Sequence, residues 1–208
     1  MLFLTPLYNY LVSHLATRIN HFPLIKLAIY ALDKTIFYFL IFALLRIIWL
    51  IAIRHRRSLK SEFSVWLLVF YLLLVMFGTV FRDAYFPTQM TWYFNRPLSD
   101  INFIPFEMTV KLFHGESLVD FVYNSFGNVL CFLPLGILLP ITFKYYRKFN
   151  RIIITGMLFS LIIESLQFVL MTGVSDIDDI IFNTIGAAIG YGVYKTLQSL
   201  IKIDKIRE

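Results

Sequence analysis

The sequence predicts an all-α, polytopic helical membrane protein with about five transmembrane helices and an N-terminal interfacial segment. Three observations carry this. Apolar residues make up 59% of the 208-residue chain, and charged residues only 15%, against about 25% charge in an ordinary soluble domain. Several apolar runs reach the roughly 18–20 residues that a helix needs to cross a bilayer. The basic residues are concentrated in short connections between those runs, as expected of cytoplasmic loops. The net charge of +6 is therefore read as loop charge, with no nucleic-acid partner.

Residues 1–34 are apolar but interrupted by Pro6, His14, Arg18, Asn20, His21, Pro23 and Lys26. That pattern suits an amphipathic helix or two lying at the membrane surface. Residues 35–81 form two scaffold spans, about 35–53 and 63–81, joined by the basic connection RHRRSLK (54–60). Arg46 lies inside the first span and can snorkel toward its basic end. Residues 82–200 comprise a long outer loop and three further spans. The loop, about 82–117, is rich in aromatics and prolines, and a loop of this length suits a lid or binding segment. The third span is about 119–142, the fourth 152–171 and the fifth 180–199. The basic loop 143–151 separates the third from the fourth, and the acidic turn 173–179 separates the fourth from the fifth. Residues 201–208 form a basic tail. The three basic stretches fall on alternate connections, so all can be cytoplasmic, which puts the C-terminus inside and the acidic turn outside. The single cysteine, Cys131, excludes an intrachain disulfide.

Three spans carry polar residues three or four apart, a spacing that gathers them on one helical face. These stripes are Asp120, Asn124 and Asn128; Ser160, Glu164 and Gln167; and Asp176, Asp179, Asn183, Gly186 and Gly190. At 1.5 Å per residue, Glu164 lies about 10 Å below the outer end of its span, Asn128 about 14 Å and Asn183 about 5 Å. Three helices can thus enclose one polar pocket toward the outer side. A bare carboxylate inside a membrane is costly, so Glu164 needs a partner, a proton or a ligand. Paired carboxylates in a half-dry site can act as general acid and base, or, with amide oxygens, hold a divalent cation. Glu164, Asp179 and Asp176 are the candidate catalytic groups. Structural readings stand beside these. Ser175 and Asp178 fit a capping box, Gly186 and Gly190 a close helix contact, and Asn124 and Asn128 interhelical hydrogen bonds.

Three blocks resemble the VanZ-like family of bacterial membrane proteins, which takes its name from a teicoplanin-resistance protein. INFIPF (101–106) is similar to the family's N-L-x-P-F block. NVLCFLPLG (128–136) is similar to its N-hydrophobic-F-x-P-x-G helix. ESLQ (164–167), followed by DIDDIIFNTIGAAIG (176–190), resembles its E-x-x-Q…D-I-x-D-x-x-x-N-T-x-G block. The resemblance implies a role in the plasma-membrane envelope, with protection against lipoglycopeptides such as teicoplanin as one form of it. The positions it matches are Asn102, Asn128, Glu164, Gln167, Asp176, Asp179 and Asn183. Many members carry an arginine where this chain has Gly173, and another close before the first asparagine. Here Arg96 or Arg82 would have to supply such a cation. The expected substrate-binding set is Asn102, Asn124, Asn128, Gln167, Asn183 and Arg96. The expected partners are the bilayer and an envelope lipid or lipoglycopeptide-like amphiphile, bound with or without turnover; a small transporter is the further alternative. Composition and motifs set neither the oligomeric state nor the metal.

Overall fold

A computed structural model describes the backbone of residues 1–16, 18, 22–53, 58–114 and 118–207, and their side chains except 108, 112–114, 118–124 and 201–207. Among these residues the fold is helical and divides into two compact units, Met1–Trp92 and Tyr93–Glu208. Among the described residues, four helices are long and apolar enough to cross a membrane: Phe22–Ile53, Leu59–Thr79, Ser125–Thr142 and Phe149–Leu170.

The first unit contains α1 (Thr5–Leu15), α2 (Phe22–Ile53) and α3 (Leu59–Thr79). Pro6 sits in the first turn of α1, where its missing N–H is no loss and its fixed φ suits a helix start. The helix expected over 35–53 begins instead at Phe22, so much of the segment expected to lie at the interface continues the same helix. Pro23 falls in its first turn, and Lys26 is tolerated because a long cationic stem can reach out of an apolar face. Ser58 caps α3 by accepting from the Ser61 N–H at 3.3 Å. The two long helices pack antiparallel through aromatic contacts, Phe42–Trp66, Phe39–Phe70 and Tyr38–Phe77, with ring centroids 6.1, 5.3 and 5.0 Å apart. Arg46 does not only snorkel. It forms a bidentate pair with Glu62 at 2.9 and 3.2 Å and lies 4.5 Å over the Trp49 ring. Two half-buried charges thereby neutralise each other.

The part of the long loop 82–117 that falls in the second unit is not structureless. It contains a 3₁₀ turn at Leu98–Asp100 and the short helix α4 (Glu107–His114). Then follow α5 (Leu118–Thr142), α6 (Phe149–Leu170) and α7 (Ile177–Arg207). The segment expected as the fifth span is helical and lies within α7, which is longer than anticipated. Its apolar run is diluted by Asn183, Gly186, Gly190 and Gly192, so it is not among the four helices above.

α7 packs most extensively on α5 and next on α6. Glycine makes the α5 contact feasible. A Cβ on Gly186 would collide with the Val129 carbonyl, one on Gly190 with the Leu133 carbonyl, and one on Gly136 with the Ala187 carbonyl. Both Val129–Gly186 and Leu133–Gly190 advance four residues together, so α5 and α7 run parallel. The structural reading of Gly186 and Gly190 as a small-residue seam holds. α6 runs antiparallel to α7: Ser160 bonds Asn183, and one turn earlier on α6 Gly156 meets Ala187, one turn later on α7.

Candidate functional site

The site is built where α5, α6 and α7 meet beneath the acidic turn. The Ser160–Asn183 and Gly156–Ala187 pairs fix the α6–α7 register. Continuing it by one turn the other way brings Glu164 level with Asp179. Glu164 is 5% exposed, and its Oε2 accepts the Asp176 N–H at 3.1 Å. From α5, the Asn128 amide donates to Asp179 Oδ1 at 2.6 Å, a short bond. One turn deeper, Asn183 donates to Ser160 Oγ at 2.8 Å. The other amide atom, Asn183 Oδ1, is buried and has no hydrogen-bond partner among the described residues; the same is true of Thr172 Oγ1. A buried acceptor left without a donor is costly.

The long loop before α5 is stitched onto this centre. The Asn102 N–H donates to the Ser175 carbonyl, and the Ile177 N–H to the Asn102 carbonyl, each at 3.0 Å. The Asn102 side chain donates to Asp176 Oδ1 at 3.0 Å. That same oxygen accepts the Asp178 N–H at 2.9 Å, so Asp176 caps α7. The expected Ser175–Asp178 capping box does not form. Ser175 turns instead to the Glu164 carbonyl at 2.9 Å, and Asp178 serves another helix. Its carboxylate accepts the Phe106 N–H at 2.5 Å, the Thr109 N–H at 3.3 Å and the Thr109 hydroxyl at 2.6 Å. Asp178 thus satisfies the free N–H groups at the start of α4 from across the chain. Phe106 has a positive φ of 64°.

Arg96 donates to the Phe168 carbonyl at 2.7 Å and pairs with Asp100 at 3.2 Å. Its guanidinium stacks 4.5 Å over the Phe168 ring. It fastens the loop to the end of α6. Arg82, in the first unit, donates to the Thr79 carbonyl at 2.9 Å. Gln167 is buried, and Gly173 packs on it so closely that a Cβ there would lie 3.2 Å from the Gln167 amide carbon. Asn124 belongs to α5, but its side chain lies outside the described residues. At the Asn128–Asp179 and Asn183–Ser160 levels, the polar side chains expected to line a pocket bond to one another across the helices. A separate open cavity of about 400 Å³ lies by the loop, bordered by Asn102, Ile104, Glu107, Lys111 and Val174. Among the described residues, no group of three or more His, Cys, Asp and Glu side chains is arranged to hold a metal ion.

One polar pair escaped the stripe analysis. Asp33 and Lys34 are both fully buried in α2. Asp33 accepts the N–H groups of Leu2, Phe3 and Leu4, each at 2.7 Å, and the Tyr85 hydroxyl at 2.9 Å. Lys34 donates to the carbonyls of Phe81, Arg82 and Ala84 just beyond α3. The same rule that singled out Glu164, an ionisable group within an apolar run, would have found them had the helix been drawn from Phe22.

A family model described as VanZ/LLP1 matches residues 68–198. Protein VanZ of Enterococcus faecium is 28% identical over 146 residues, covering 67% of this chain and 80% of that protein. No solved structure matches.

Proposed function

This chain belongs to the VanZ/LLP1 family, and from that premise we propose that its second unit recognises an envelope lipid or lipid-like amphiphile at the outer face of a bacterial plasma membrane. Protection against lipoglycopeptides such as teicoplanin is the expected phenotype. The observation that carries this reading is the convergence of Asn128, Glu164 and Asp179 from three helices at one level, inside the region that the family model matches. Charged and amide groups enclosed in apolar helices are expensive unless they serve a site. In this reading Glu164 and Asp179 are the reactive or ligand-facing carboxylates. Asn128 orients Asp179, Gln167 and Asn183 line the deeper wall, and Asn102 with Arg96 seats the outer loop over the mouth.

The test is antibiotic susceptibility in a sensitive Gram-positive host carrying an empty vector, wild type, Glu164→Gln or Asp179→Asn at matched membrane abundance. Teicoplanin protection by wild type that both variants lose, with vancomycin susceptibility unchanged, is the expected result. Protection retained in both variants sinks the role of the carboxylates. No protection by wild type removes the drug from the proposal.

A non-catalytic reading is favoured by a specific observation. Asp176 and Asp178 are engaged by backbone and side-chain donors that hold the loop and α4, and in this reading they serve as structural anchors. The centre would then bind its amphiphile without changing it. A lipid species found by mass spectrometry only in wild-type cells would exclude that reading.

A further inference from the structure

We propose that the first unit carries a separate lipid site: the groove between α2 and α3 holds an acyl chain of an anionic glycerophospholipid. The groove has a volume of about 660 Å³. It is bordered by Leu59, Phe63, Leu67 and Phe70 of α3, facing Phe39 and Leu50 of α2. The α3 residues recur at helical spacing and form one continuous apolar stripe. Leu59, Phe63 and Leu67 are 89, 69 and 42% exposed, so the other described residues leave them largely uncovered.

The dimensions match a lipid chain. Leu59 to Phe70, and Phe39 to Leu50, each span about 16 Å at 1.5 Å per residue. That is about half of the roughly 30 Å hydrocarbon core, the depth of one leaflet.

The charge at one end selects the headgroup. Glu62 is the charged residue in the groove wall, and the bidentate contact with Arg46 neutralises it. It therefore does not repel a phosphate. Exposed Lys60 lies beside Leu59 at one end of the groove. A Lys or Arg next to a span attracts anionic lipids, with about 1 kcal/mol for each cation near the surface. A zwitterionic lipid can fill the groove but gains little from this cation.

The experiment uses the full chain, purified with phosphatidylglycerol or with phosphatidylcholine of identical acyl chains, and counts retained lipids by native mass spectrometry. Wild type should retain phosphatidylglycerol in preference to phosphatidylcholine. Leu67→Trp, which fills the groove, should remove that retained lipid. Lys60→Gln, an exposed change outside the packing, should reduce the preference about fivefold, the factor corresponding to one such cation, without lowering the melting temperature. Equal retention of both lipids, undiminished retention in Leu67→Trp, or a lipid-free dimer of the chain would each overturn the proposal.

Discussion

The Asn128 amide on α5 meets the Asp179 carboxylate on α7 at 2.6 Å, and the same two helices touch backbone to backbone where Gly186 faces Val129 and Gly190 faces Leu133. The two features belong together. Asn and Asp side chains are short, so they reach across only if the helices approach closely. The glycines permit that approach.

Asn128→Ala should remove the bond. Interhelical hydrogen bonds in membranes average about 0.6 kcal/mol, and the loss should fall near that value. A double-mutant cycle with Asp179→Asn, read by thermal unfolding in detergent, measures the coupling. A cycle that closes with no coupling would show that the bond contributes nothing.

Gly190→Ala and Gly186→Ala should destabilise the second unit by about 1–3 kcal/mol or more, since each methyl would overlap a carbonyl. Gly127→Ala and Gly192→Ala have open space around the added carbon. Both should be neutral or stabilising by up to about 1 kcal/mol, because alanine suits helices better. Melting temperatures of the four variants should sort into these two classes.

Asp178→Ala should detach the start of α4. The N–H groups of Phe106 and Thr109 lose their acceptor, and their hydrogen exchange should accelerate. Thr109→Val removes one of the three bonds and should show a smaller change. Slow exchange preserved at Phe106 in Asp178→Ala would show that another group holds this turn.

Asp33→Ala should release residues 2–4, with exchange at Leu2, Phe3 and Leu4 rising together. The Tyr85 phenol, which lies beyond the spans, is pushed above its ordinary value by burial and by the Asp33 carboxylate beside it. A raised folded-state value means that Tyr85 contributes stability fully below about pH 10, its ordinary value. That contribution is lost as pH climbs through the higher folded value. Tyr85→Phe should remove this alkaline component from a stability–pH profile.

Much of the second unit was legible because its signals are local. Helical spacing grouped Ser160, Glu164 and Gln167 on one face and Asp179 with Asn183 on another. A short turn between α6 and α7 required antiparallel neighbours. Other features depend on partners far along the chain. Nothing near Asp178 says that it anchors Phe106 and Thr109, more than sixty residues away, instead of completing a capping box with Ser175. Nothing near Arg46 names Glu62.

By itself the sequence determined that this is an all-helical, multi-pass membrane protein of the VanZ/LLP1 family, because apolar run length, basic loops and ordered motif blocks are properties of the chain read in one dimension. Only the tertiary structure decided which carboxylates are committed to backbone N–H groups, that Asn128 and Asp179 meet, and that Asp33 and Lys34 hold the ends of other segments. Hydrogen bonds are short and directional. Their pairing is set by helix register and approach distance, and those arise only when the glycine seam and the aromatic contacts pack.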